Sequence, residues 1–159
     1  MSHRPTALGL AFATLILALA TFHPTVARAE SGLGWHGGFM LEPDQVVLGA
    51  QASFPIGEKM LYFVPQADFG FFNGTSFNVH ADMQARLGGD DNGIRPFVGV
   101  GGTWFGFDPE DGDSDNTFGV NVVAGLWTQK TTGKKSFAEV MFFLDEDLPD
   151  FRLVIGRMF

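Results

Sequence analysis

The sequence predicts an all-β protein of eight antiparallel strands, joined in up-and-down order and closed into a barrel. Alternating apolar and polar side chains recur over runs of eight to eleven residues, and seven short turn-forming stretches separate those runs. The composition agrees: 18 Phe and 21 Gly in 159 residues favour aromatic-rich strands in close backbone approach.

Residues 1–29 stand apart from this pattern. His3 and Arg4 give a positive start, Ala7 to Ala20 an apolar run, and Ala27-Arg28-Ala29 a small-x-small motif before Glu30. That is the layout of a secretory signal peptide cleaved after Ala29. The mature β-domain is then 30–159. Loss of Arg4 and Arg28 takes its formal charge from -8 to -10. So acidic a chain is a poor match for nucleic-acid phosphates. The absence of cysteine excludes disulfides, a thiolate nucleophile and a lipid-modified cysteine.

The expected strands are roughly 33–41, 45–55, 60–72, 76–87, 94–107, 117–129, 135–144 and 151–159. The first ends at the turn "EPD". In the second, Val46, Leu48, Ala50, Ala52 and Phe54 oppose Val47, Gly49, Gln51 and Ser53. In the third, Leu61, Phe63, Pro65, Ala67, Phe69 and Phe71 oppose Tyr62, Val64, Gln66, Asp68 and Gly70. The fourth is the cleanest, with Phe77, Val79, Ala81, Met83, Ala85 and Leu87 against Asn78, His80, Asp82, Gln84 and Arg86. The fifth carries the glycine-rich "PFVGVGG". "FGVNVVAGLW" and "FAEVMFFL" alternate less strictly, and the eighth places Phe151, Leu153 and Ile155 on one face. Each connection is short enough to join antiparallel neighbours, and eight strands of this length close into a small barrel.

The polar faces decide which side is inside. They are built from Gly, Asn, Gln, Ser and a few chargeable residues, with no lysine, while most charges sit in the turns. Water-facing strands ordinarily carry Lys and Glu. A narrow lumen instead takes small residues and mutually satisfied polar ones. The polar face is therefore expected inside and the apolar face outside, against lipid.

On the signal peptide, the eight alternating strands, "PFVGVGG" and the terminal strand closing on Phe159, the chain resembles the small bacterial outer-membrane β-barrels of the OmpA/OmpX type. The resemblance implies a transmembrane barrel, an outer-membrane location and outer-membrane lipid as surroundings. It also implies that Phe151, Leu153, Ile155 and Phe159 form the signal read by the barrel-assembly machinery. Arg157 departs from that pattern; it is expected at the membrane interface, where a long basic side chain can snorkel. The barrel is expected to be monomeric.

Centring the third hairpin on Gly74 sets Asp68 opposite His80, Gln66 opposite Asp82 and Tyr62 opposite Arg86. Asp68, His80, Asp82, Arg86, Glu139 and Arg152 are then expected to form a buried polar network filling the lumen, rather than a proton- or metal-handling site. In "DPEDGDSDN", Asp111, Asp113 and Asp115 alternate like the ligands of a calcium loop, without its sixth-position glycine or distant glutamate; they are the candidate site for a divalent cation such as Ca2+. Neither His36 nor His80 sits in a His-x-Ser pair, and no serine has an evident base, so catalysis is not expected. Two other readings stay open: a soluble calycin-like carrier of an apolar ligand, and a narrow pore for small solutes. With both termini in the periplasm, the four outer connections carry Glu42, Asp44, Asp108, Glu110, Asp111, Asp113, Asp115, Asp145, Glu146, Asp147 and Asp150 and no basic residue, whereas Lys59, Lys130, Lys134 and Lys135 fall at inner turns.

Overall fold

The architecture comes from a computed structural model that describes residues 31–57, 60–87, 93–109, 113–129 and 135–159. The expected signal peptide with Ala29, the loop residues Glu110 and Asp111, and Lys59, Lys130 and Lys134 lie outside the described residues.

Eight strands run in sequence order: β1 (Gly32–Leu41), β2 (Gln45–Ile56), β3 (Leu61–Phe71), β4 (Thr75–Arg86), β5 (Ile94–Asp108), β6 (Asp115–Gln129), β7 (Lys135–Phe143) and β8 (Phe151–Met158). Each pairs antiparallel with its neighbour, and β1 pairs with β8 from Gly34↔Met158 to Leu41↔Phe151, so the sheet closes on itself. Closure removes the free edges that an open sheet would expose. Most strands have the roughly 9–11 residues that a tilted strand needs to cross a bilayer core. We call the end with the β1–β2, β3–β4, β5–β6 and β7–β8 connections distal, and the end with both outermost strand termini proximal.

Burial is inverted relative to a water-soluble protein. Leu33, Phe39, Phe69, Phe118, Ile155 and many other large apolar residues face outward, while His36, Gln66, Asp68, His80, Asp82, Glu139 and Arg152 are fully or almost fully buried. The period-two alternation runs through the strands, with a break in β2, where Gln51, Ala52 and Ser53 are all buried. Aromatic pairs stud the outer wall towards the distal end, with Phe77 against Trp104 at 6.1 Å and Phe142 against Phe151 at 6.2 Å between ring centres.

The third hairpin corrects one expectation. It is centred on Asn73, not Gly74: Phe72, Asn73 and Gly74 all adopt positive φ (73°, 53° and 99°), and the last ladder pair is Gly70↔Ser76. The pairing slips by two residues. Gln66 now faces His80, Asp68 faces Asn78, Val64 faces Asp82 and Tyr62 faces Gln84. A slip of two keeps every side chain on its face. The three expected pairs still touch, as diagonal neighbours across the ladder. Asp68 meets His80 at 3.2 Å, Gln66 meets Asp82 at 3.0 Å, and the Arg86 guanidinium lies 3.5 Å from the centre of the Tyr62 ring.

Candidate functional site

Inward residues from seven strands meet in the middle of the lumen. Arg152 on β8 donates from Nη1 to Asp68 Oδ2 on β3, and from Nη2 to Gln66 Oε1 at 2.7 Å and to Glu139 Oε1 at 2.5 Å on β7. Gln66 Nε2 donates onward to Asp82 Oδ2 at 3.0 Å on β4. The other Asp82 oxygen takes Asn121 Nδ2 at 2.8 Å on β6, Asn121 Oδ1 takes the Thr103 hydroxyl at 3.0 Å on β5, and His80 Nδ1 lies 2.9 Å from that hydroxyl. His80 Nε2 faces Asp68 Oδ2 at 3.2 Å, which returns the path to its start. Asp68, His80, Thr103, Asn121, Asp82, Gln66 and Arg152 thus form a closed ring of hydrogen bonds.

Three residues flank the ring from outside it: Glu139, held by Arg152 and Gln66, and His36 and Gln84. His36 on β1 places Nε2 2.5 Å from Asp68 Oδ1, and Gln84 Nε2 donates to Glu139 Oε2 at 3.3 Å. Three carboxylates therefore face one guanidinium and two imidazoles. Both nitrogens of His80 thus lie against oxygen atoms, Nδ1 against the Thr103 hydroxyl and Nε2 against Asp68. Such a cluster is stable only when its members satisfy one another, because an uncompensated buried charge costs several kcal/mol (about 3–5).

Five of the six residues expected in the lumen join this cluster. Arg86 does not. It sits nearer the proximal end, its guanidinium between the rings of Tyr62 and Trp127 (3.5 and 4.2 Å to their centres) and donating to Ser53 Oγ at 2.7 Å. Aromatic and sulfur-bearing side chains are buried in the lumen towards both ends: Phe97, Trp127, Phe137 and Met158 proximally, Met40 and Phe105 distally. On β2, the strand that gives the cluster no side chain, Gly49 leaves the space that the Asp68 carboxylate and the His36 imidazole occupy. Gly101 does the same for Asp82.

Sequence reasoning missed Leu148. The stretch "DEDLPD" reads as a solvated loop, yet Leu148 is 6 % exposed and belongs to the lumen core. Asp145 Oδ2 accepts the Val120 amide at 2.9 Å, Leu148 N bonds Asp145 O at 3.1 Å and Asp150 N bonds Leu41 O at 3.1 Å. The β7–β8 connection therefore folds over the distal mouth. Glu42, Asp44, Asp108, Asp113, Asp115, Glu146, Asp147 and Asp150 lie around it at the distal end. Of the calcium-loop candidates, Asp113 and Asp115 are exposed, and Asp115 Oδ1 accepts the Asn116 amide at 2.7 Å. Among the described residues, no group of three or more His, Cys, Asp or Glu is placed to hold a metal ion. The outward series Phe151, Leu153, Ile155 and Phe159 lines the outer wall of β8, and Arg157 stands among them, exposed, near the proximal end.

No protein-family model matches the chain, and no curated protein matches it in sequence. Solved structures do match. The N-terminal β-barrel domain of Pseudomonas aeruginosa OprF aligns with a TM-score of 0.66 at 14% identity, over 83% of this chain and 100% of that one. The chain has the fold of the small bacterial outer-membrane β-barrels. Neisserial surface protein A aligns with a TM-score of 0.58 at 10% identity, over 80% of this chain and 94% of that one. The outer membrane enzyme PagL aligns with a TM-score of 0.54 at 11% identity, over 81% of this chain and 98% of that one. At such identities the barrel fold is what is shared.

Proposed function

We propose that the protein is a non-enzymatic integral barrel of the outer membrane, structural or surface-interacting in role, with its lumen plugged by the hydrogen-bonded ring. The observation that carries this is the inversion of burial. A wall of exposed Leu, Ile, Val and Phe surrounds a core that holds Asp68, Asp82, Glu139, His36, His80 and Arg152. Only a solvent less polar than the interior makes that arrangement favourable.

The competing readings fit the geometry less well. An apolar ligand in a carrier would have to occupy a space already crossed by Arg152 and its partners. A solute pore meets the same obstruction, with the distal mouth further covered by Leu148. PagL is an enzyme on this fold, so the shape alone does not exclude catalysis. Asp68, His80 and Thr103 do line up as acid, imidazole and hydroxyl. The Thr103 hydroxyl, however, is fully buried and donates to Asn121, out of reach of any substrate.

The same proposal covers the surroundings. The barrel is a monomer in outer-membrane lipid, exported by a cleaved leader and assembled by the machinery that reads Phe151, Leu153, Ile155 and Phe159. Its acidic distal rim faces the cell exterior, where Asp111, Asp113 and Asp115 are the residues to examine by calcium titration. The deciding experiment is membrane fractionation with detergent extraction, followed by electrophoresis of heated and unheated samples. An outer-membrane fraction whose unheated band migrates faster supports the barrel. Recovery in the soluble fraction overturns it in favour of a carrier.

A further inference from the structure

The outer wall across β1, β8, β7 and β6 is not smooth: it holds a groove of about 640 Å3 near the proximal end. The sequence explains why. Gly37 and Ala138 occupy outward positions beside large neighbours, so they form a floor, while Trp35, Leu126 and Ile155, each about half exposed or more, form the walls. Arg157 stands at one end. It pairs in register with Trp35 on one side and Ser136 on the other, and no described residue offers its guanidinium a hydrogen-bond or ion-pair partner. A cation with no counter-ion among the described residues, at the head of an apolar trough on a wall of exposed aliphatic side chains, is matched to an amphiphile with a negative head.

We propose that this groove binds one net-anionic glycerophospholipid, an acyl chain lying over Gly37 and Ala138 and the phosphate held by Arg157. Arginine presents paired donors that suit phosphate oxygens, and a tryptophan beside it suits the level where headgroups meet chains. The charge of the two ends agrees. Arg95, Lys135 and Arg157 lie at the proximal end, whereas the described charged residues of the distal connections are all acidic. The volume lies within the roughly 300–1,000 Å3 typical of small-molecule sites. The proposal rests on the membrane reading above and adds a headgroup preference at one place on the wall.

Trp35 reports on it. In a Trp104→Phe background the remaining indole, Trp127, is enclosed in the lumen, so a quencher in the lipid acts on Trp35. The protein is folded into vesicles containing equal parts of phosphatidylglycerol and phosphatidylcholine, with brominated chains on one lipid or the other. Composition and surface charge then stay constant while only the position of bromine changes. The expected result is a preference of about fivefold for quenching by the glycerol lipid, the weight of one basic residue near an anionic headgroup. Arg157→Gln should abolish the preference, and Ala138→Phe, which fills the floor, should reduce it. Equal quenching by the two lipids in protein that is inserted and heat-modifiable overturns the site and leaves the barrel reading intact. A preference unchanged in Arg157→Gln overturns it as well. Protein that folds but stays out of the vesicles overturns the membrane reading, and the site with it.

Discussion

Arg152 on β8 reaches across the lumen to Asp68 on β3, a residue 84 positions away in the chain. The same guanidinium holds Glu139, so its removal strands two buried carboxylates at once. Arg152→Met should therefore lower stability by about 3–5 kcal/mol. Urea titration of the folded band on unheated gels measures this, and a midpoint equal to that of the parent protein would show that the ring carries no structural weight.

The direction of the faces is tested on the wall. Ala81 and Val122 point outward near the middle of β4 and β6. Ala81→Arg and Val122→Arg should each cost roughly 2–4 kcal/mol in lipid, whereas Ala81→Leu should be nearly neutral. Normal folding of both arginine variants in vesicles would mean that this wall does not meet lipid.

Two glycines make a matched pair. A Cβ at Gly49 would collide with Asp68 and His36, and Gly49→Ala is expected to destabilise by about 1–3 kcal/mol through overpacking. At Gly102 the nearest atom is the tip of Phe118, 3.2 Å away on an exposed ring that can yield, so Gly102→Ala should be tolerated. Thermal melting of the two variants side by side decides it: equal losses would mean that the crowding at Gly49 has no consequence.

Leu148 packs into the lumen core from a loop, and its truncation should behave like a core substitution. Leu148→Ala should cost about 2–5 kcal/mol, far more than Leu144→Ala on the exposed surface nearby. If the two variants melt together, the loop does not pack in solution as described.

Sidedness follows from which connections share an end. An epitope inserted after Ser114, distal and exposed, should be reached by antibody on intact cells, and one after Gly57, proximal, should not. Labelling of the Gly57 insertion alone would invert the proposed orientation.

Strands and faces were legible because a period of two is written into the order of residues and survives errors in pairing. Every expected strand end lies within two residues of the observed one. The register of the third hairpin was not legible to the residue. "NGTS" admits turns centred on either Asn73 or Gly74, and the choice depends on the positive φ that Phe72 adopts. His36 could have been placed in the lumen, since it alternates with Leu33, Trp35 and Phe39, yet nothing local pairs it with Asp68, 32 residues on. Thr103 and Asn121 were missed because their partners follow from the registers of β4–β5 and β5–β6, which the order of residues does not specify. Leu148 was hidden by its acidic neighbours, whose composition describes the exposed part of the loop and not the one side chain that turns inward.

The long sequence separation between Arg152 and its partners bears on how the barrel can form. Until β8 takes its place, Asp68 on the far wall of the lumen has no Arg152 guanidinium to meet, whereas Glu139 meets it within the β7–β8 hairpin. A partly closed intermediate therefore carries a charge penalty that the finished barrel does not. Local hairpins such as β3–β4 can form early and bring their own links of the ring, Gln66 to Asp82 and His80 to Asp68, but not the two made by Arg152. Completion of the Arg152–Asp68 pair is thus tied to docking of the last strand, which couples the end of the β-domain to β3 on the far wall.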